Sequence, residues 1–308
     1  TKVTPDNVID KLNFFDPDGN MNTNYVPFEK TDEIGLETKA YRKFYLSSFT
    51  IPNLSHTTNN VFDFTLSPTG GQFGCSFYFK MDREDFESSG ADSFDFKMFR
   101  LSNSPSDGTE MYVRIYTGTT GFPIYAKAVF MDIYVEDSAG DTSLSTYNIT
   151  SHWNKMTKYM IVDSSSTTYP LLYTYVLEDQ EMDVPTRFAE SASGTQNLWE
   201  TDTLDTLSVY EQPYVLSPNN SQDGVIIADL LFLTGALGVS YNISDVINDG
   251  ATVDYTASYW TGTEPLGWWR FNVDGEDLPP STWISGTPIF VLDDRTSNNL
   301  DLGAIGNV

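Results

Sequence analysis

Apolar and polar residues alternate in short runs along most of this chain, and clusters of Gly, Pro, Asn, Asp and Ser separate the runs. "VFDFTLS" (61–67), "FGCSFYFKMD" (73–82), "FDFKMFRLS" (94–102), "EMYVRIYTG" (110–118) and "AKAVFMDIYVED" (126–137) each read as a strand. "HWNKMTKYMIVDSS" (152–165), "PLLYTYVLEDQ" (170–180) and "LSVYEQPYVLS" (207–217) continue the series. Between them, 183–206 is polar and reads as a long loop on one rim. Helical periodicity is scarce, with one short candidate near the start, "PDNVIDKL". The pattern predicts an all-β fold.

The run "DGVIIADLLFLTGALGV" (223–239) breaks the alternation, because from Val225 to Leu233 it is apolar on every residue except Asp229. A bilayer span needs roughly 20 apolar residues. This run is shorter, holds a carboxylate, and is interrupted at Gly235 and Gly238, so it does not cross a membrane. A continuous apolar run suits a central strand covered on both faces, which places that strand at 225–233 and a turn at "TGAL". A carboxylate inside such a strand must find donors or become neutral. The expected role of Asp229 is a structural hydrogen bond to a neighbouring loop; a catalytic or cation-holding role is the alternative.

From about 61 to 247 the chain resembles a laminin-G-like module of the concanavalin-A-like jelly roll. The resemblance lies in the aromatic "FGCSFYFKMD", in "HWNKMTKYMIVDSS" with its partner "LLYTYVLEDQ", and in "DGVIIADLLFLTGALGVSYNISDVI", which closes on a short helix. It implies an antiparallel two-sheet jelly-roll sandwich with a C-terminal β extension. The chain then divides into an N-terminal arm with first strands (1–60), the jelly roll (61–250) and the extension (251–308). In the extension, "TVDYTASYW" and "GWWRFNV" are strand-competent and rich in aromatics. That much apolar surface is not left in water, so 251–308 should add strands to its own sheet or to a neighbour's. The abrupt start and end of the chain favour the neighbour.

Charge narrows the partners. With 43 acidic and 17 basic residues the formal charge is −26, which repels nucleic-acid phosphates and anionic membranes. No membrane insertion and no nucleic-acid partner are expected. The single Cys75 excludes an intrachain disulfide and reads as a small core residue. The chain opens on Thr1, suggesting a removed leader or a larger precursor. Sequons at Asn53, Asn148, Asn219 and Asn242 matter only on a glycosylating route.

Candidate chemistry is sparse. "WETDTLD" sets Glu200, Asp202 and Asp205 near the carboxylate pattern of jelly-roll β-glucanases. There a retaining pair sits about 5 Å apart, but Asp205 is shorter than the glutamate that such a site needs. His56 and His152 lack ligand spacing. "DPDGNMN" places Asp16, Asp18, Asn20 and Asn22 at alternating positions, as oxygen ligands wrap Ca2+ in a loop, although no glutamate closes it as in an EF-hand. The pair at 293 and 294 is a weaker calcium candidate. Trp260, Trp268, Trp269 and Trp283 lie near Asn and Asp and are candidates for glycan stacking, against a core role for most of them.

With no credible catalytic set in the sequence, the resemblance to a laminin-G-like binding fold implies a non-enzymatic structural, decorating or adhesion protein of a virion or other extracellular surface, the virion by analogy with such modules in viral surface proteins. Its partners would be copies of itself, other proteins of the assembly, and glycans. The rival is a carbohydrate-active hydrolase or lyase using Glu200, or using Tyr with His152. If 16–22 holds Ca2+, the ion stabilises the folded state by preferential binding. Millimolar calcium added to chelated protein should then raise the Tm, and Asp16→Ala with Asp18→Ala should abolish the rise; an unchanged Tm would reduce the segment to a turn.

Overall fold

The computed structural model describes residues 28–30, 40–45, 54–56, 73–82, 95–102, 110–119, 127–136, 140–163, 169–193, 206–211, 224–235, 237–270, 283–284, 287–292, 294–297 and 302–305. They form two β-sheets with antiparallel pairing throughout. The first runs, in spatial order, β1 (Phe28–Lys30), β2 (Ala40–Tyr45), β14 (Gly224–Thr234), β4 (Phe73–Asp82), β9 (Thr157–Asp163), β10 (Leu171–Val176) and β11 (Glu181–Asp183). A further strand, β15 (Gly267–Trp269), pairs with β14.

The second sheet runs β12 (Arg187–Ser193), β8 (Thr142–Asn148), β7 (Lys127–Glu136), β6 (Glu110–Thr119), β5 (Asp95–Ser102), β13 (Thr206–Glu211), β3 (Leu54–His56), β18 (Leu302–Ile305), β17 (Thr287–Leu292) and β16 (Trp283–Ile284). One short helix, α1 (Ile243–Ile247), leads into a tight turn at Asn248–Gly250. Among the described residues no helix is long and apolar enough to cross a membrane.

The sheets pack face to face through aromatic rings. Phe99 of β5 meets Phe77 of β4 edge-on at 5.8 Å and Phe232 of β14 at 5.3 Å. Along β4 the odd-numbered side chains Phe73, Cys75, Phe77, Phe79 and Met81 are all buried on one face of the strand, and Ser76 and Tyr78 on its other face are buried as well. Cys75 lies among them as a buried free thiol whose titration burial pushes well up.

The opposite face of the first sheet is closed as well. Met160, Val162, Leu231 and Leu233 of its strands form one buried cluster with Tyr241, Val246, Ile247, Val253, Tyr255 and Trp268 of the segment that follows β14. Coverage on both sides explains the unbroken apolar run in β14, which is the central strand expected of 225–233. Gly235, at φ +99, turns the chain at its end; a Cβ there would lie 2.3 Å from the Ser240 hydroxyl.

The structure corrects three sequence expectations. Residues 187–193 of the polar stretch form edge strand β12 instead of loop. Trp153 lies in the turn before β9 and not on a strand. In the C-terminal extension, β15 lies against β14 beyond the part paired with β2, and β18 joins β3, so these strands complete the chain's own sheets where a neighbour's had been favoured. The physical reason is local: the outer side of β14 needs a cover, and Trp268 supplies it without waiting for a second molecule.

A chain cut after residue 250 therefore loses Val253, Tyr255, Trp268 and Trp269, all buried. Burial of one large apolar side chain is worth roughly 2 kcal/mol, and whole domains are stable by only ~5–15 kcal/mol. The truncated chain should aggregate or lose its near-UV circular dichroism, and a cooperative melt from a soluble 1–250 product would contradict this packing.

Candidate functional site

The outward face of the second sheet carries the described residues best suited to bind a ligand. In β6 the side chains alternate strictly: Met111, Val113 and Ile115 are buried, while Glu110, Tyr112, Arg114 and Tyr116 are half-buried on the other side. The register sets Glu110 opposite Glu136, Tyr112 opposite Tyr134, Arg114 opposite Asp132 and Tyr116 opposite Phe130. On the other side of β6, β5 adds Asp95, Lys97 and Arg100.

Two aromatic stations result. At the first, Tyr112 and Tyr134 stack at 4.7 Å with Lys97 Nζ 4.2 Å from the Tyr112 ring centre, and Tyr134 Oη donates to Glu136 at 2.6 Å. At the second, Tyr116 lies 5.6 Å from Phe130, which lies 4.8 Å from Phe188 of β12. Phe188 is the extra residue where the β12 register shifts, and it is 51% exposed. Gly118 makes room here, because a Cβ on it would lie 2.9 Å from the Phe130 ring. Four residues separate Tyr112 from Tyr116, about 14 Å along a strand.

Ion pairs join the stations. Arg114 donates twice to Asp95, at 2.7 and 2.5 Å, lies 3.7 Å from Asp132 and covers the Tyr116 ring at 4.6 Å. Asp132 accepts from Thr146 at 2.6 Å and from Tyr116 at 3.3 Å. Glu110 takes Arg100 at 2.6 Å and Lys97 at 3.7 Å. Burial pushes the Tyr112 and Tyr116 hydroxyls up to about 12, so both remain protonated donors at neutral pH. Burial also raises the Asp132 carboxyl, against its hydrogen bond from Thr146 and the Arg114 charge.

A second polar cluster is internal. Asp229 sits at a bulge in β14, between Ala228 and Leu231, with φ +50. Asp tolerates that left-handed conformation better than most residues. Its Oδ1 accepts the indole N–H of Trp268 at 2.7 Å. Lys158 is fully buried nearby, donates to the Ala251 carbonyl at 2.8 Å and lies 5.2 Å from the Tyr78 ring centre. Tyr78 Oη donates to the Gly250 carbonyl at 2.8 Å. Burial pushes the Lys158 amine down to about 8 against the pull of Asp229, and raises Asp229 against the pull of Lys158. The cluster ties 250–251 and 268 to the sheet; Asp229 makes the expected hydrogen bond, to Trp268 on β15 where a neighbouring loop had been expected.

The sequence candidates scatter. Trp268 and Trp269 are 2% and 0% exposed, so neither ring can receive a sugar, and this corrects their assignment as ligand platforms. Trp260 is half-buried, packs edge-on against Tyr255 at 4.9 Å and donates to the Thr263 carbonyl. Trp283 is on β16, its side chain outside the described residues, as are Glu200, Asp202, Asp205, Asp16, Asp18, Asn20 and Asn22. Asp294 accepts from the Trp268 and Thr296 backbone N–H groups and from the Thr296 hydroxyl, a turn-fixing role. His152 is buried in the turn before β9, 3.4 Å from Asp183 on edge strand β11 of the first sheet, and burial lowers its pKa. Nothing brings it to the tyrosines.

The tyrosine face was missed, although its signal was present. "EMYVRIYTG" and "FMDIYVE" carry aromatic and charged residues in the same period-two phase. Only the register, which sets 112 against 134, turns two phases into one surface.

No protein-family model matches the chain, and no curated protein matches it. Solved structures with similar strand arrangement include tailspike protein 2 of an Escherichia coli O157:H7 bacteriophage, at 8% identity and TM-score 0.48 over 80% of this chain and 28% of that one. The botulinum neurotoxin type G receptor-binding domain matches at 8% identity and TM-score 0.36, over 69% of this chain and 44% of that one. Winged bean acidic lectin, complexed with methyl-alpha-D-galactose, matches at 12% identity and TM-score 0.34, over 70% and 89%. The chain thus spans less than half the length of the first two. All three scores are low, so the two-sheet architecture rests on this chain's own strand pairing.

The Lys158 shift has a measurable consequence. Its folded-state pKa lies below the ordinary 10.5, so between about 8 and 10.5 the unfolded chain binds more protons, and this residue makes stability rise with pH. Urea titrations should show the wild type gaining on Lys158→Met across that window, at up to ~1.4 kcal/mol per pH unit. Parallel curves would mean that the amine titrates normally.

Proposed function

We propose that this chain is a non-enzymatic binding protein of a virion or other extracellular surface, a laminin-G-like sandwich whose second sheet receives a glycan. The observation that carries the reading is the row Tyr112, Tyr134, Arg114, Tyr116 and Phe188, where ring faces and edges alternate with fixed donors and acceptors. Pyranose rings present the matching pattern of apolar C–H faces and hydroxyl rims. The protonated Tyr112 and Tyr116 hydroxyls and the half-buried Asp95 and Glu110 oxygens are the groups that would meet those hydroxyls. The strongly acidic surface suits a molecule that stays dispersed and avoids phosphate polymers. Proteins of the same assembly, copies of this chain included, are its other expected partners.

The tertiary pairing around Arg114 favours binding over hydrolysis. A retaining site needs one carboxyl free to give a proton and one free to attack, whereas Asp95 is held bidentately by Arg114 and Asp132 is buried against Thr146 and the same guanidinium. On a glycan microarray the full chain should retain a defined set of glycans, and Tyr112→Ala should weaken them about tenfold. Incubation with the same glycans should release no reducing ends or unsaturated products. Turnover lost in Glu200→Gln would instead establish the enzymatic reading.

A further inference from the structure

Building on the glycan reading of this face, we infer that its ligand is an uncharged oligosaccharide lying along β6 and contacting both aromatic stations at once. The charge pairing is the first ground. Three of the chain's 17 basic residues, Lys97, Arg100 and Arg114, lie on this face, and each is already matched to a carboxylate of the chain itself. Arg114 is held bidentately by Asp95 and approaches Asp132, while Arg100 and Lys97 share Glu110.

An anionic sugar could capture Arg114 or Arg100 only by taking the closest partner of a half-buried carboxylate, and Lys97, the looser partner of Glu110 at 3.7 Å, only by giving up its place over the Tyr112 ring. Such a loss costs more than an exposed ion pair returns. The −26 charge of the whole chain opposes the approach of an anion as well. Sialylated, uronate and sulfated glycans are therefore disfavoured at this site, and neutral hexose chains are not.

Spacing is the second ground. Tyr112 with Tyr134 and Tyr116 with Phe130 and Phe188 lie about 14 Å apart along the strand direction, farther than one pyranose ring reaches. The half-exposed Phe188 extends the second station to the edge of the sheet, so a chain crossing the face meets a ring at each end. Between them lie the half-exposed Arg114 guanidinium and the Asp95 oxygens, which can bond hydroxyls without breaking their mutual pairing, while the buried Asp132 holds Arg114 and Thr146 in place.

Isothermal titration of the full chain with matched glycans tests this: lactose against sialyllactose, galactan against polygalacturonate fragments, and neutral glucan and mannan oligosaccharides of increasing length. The expected result is binding of neutral chains only, tightening at least tenfold from monosaccharide to tetrasaccharide. Tyr112→Ala and Phe188→Ala should each remove most of that gain, and Tyr112→Phe, which keeps the ring and loses the hydroxyl, should keep the dependence on length while weakening every glycan by a similar factor. Phe188 is half-exposed, so its variant tests the second station with little risk to folding. Equal or tighter, salt-sensitive binding of the acidic partners would overturn the neutral assignment and leave the glycan reading intact. Affinity independent of length, or unaffected by either alanine, would overturn the two-station geometry. Failure to bind any glycan would overturn the glycan reading itself.

Discussion

The Asp229 carboxylate lies where water cannot reach it, and the first sheet is arranged around that fact. An unpartnered carboxylate in an apolar interior costs several kcal/mol or gives up its charge. Here the bulge in β14 and the positive φ of Asp229 bring its oxygen onto the indole N–H of Trp268. Lys158, buried on the adjoining side of the same sheet, supplies opposite charge while its own protons reach the Ala251 carbonyl. One carboxylate thus draws a strand, a turn and the C-terminal segment into a single buried unit. Remove the indole and Asp229 loses its hydrogen-bond donor; remove the carboxylate and Trp268 loses its acceptor while Lys158 keeps only the Ala251 carbonyl.

The second sheet solves a different problem. Its inner side is as dry as the first sheet's, but its outer side meets solvent and keeps polar and aromatic side chains in cross-strand pairs. Such pairs contribute only ~0.2–1 kcal/mol each, so this face adds little to stability. What it offers is fixed geometry: stacked Tyr112 and Tyr134, a clamped Arg114, and tyrosines that stay protonated. The division of labour follows from burial. The first sheet is dry on both sides at its centre, and the second keeps half-buried tyrosines and ion pairs on its outer side, around the buried Phe130 and Asp132.

Much of the architecture could be read from hydrophobic period alone. The alternation in 73–82, 110–118 and 126–137 names strands that the structure contains, and the continuous run at 225–233 correctly required cover on both faces, because a strand with apolar residues in both phases has no side for water. A role for Asp229 in hydrogen bonding followed from the same argument. By contrast, 187–193 carries Ala, Ser and Glu with no apolar phase, and it forms a strand only because β8 offers an open edge. Trp268 and Trp269 look the same in sequence whether they face a sugar or a core, and packing against Tyr255 and Phe232 decided for the core.

The candidate site divides in the same way. Which residues of β6 and β7 share a face is a local property, set by the two-residue period, and was present in the sequence. Which residues stand opposite one another is not local, since 112 meets 134, 114 meets 132, and Phe188 reaches Phe130 through pairings tens of residues apart. By itself the sequence determined the strands, the dry run and the acidic exterior, because these depend on the order of side chains along one strand. Tertiary structure alone decided the tyrosine stack, the clamped arginine and the partner of Asp229, because each depends on register between strands that the chain joins only after it has folded.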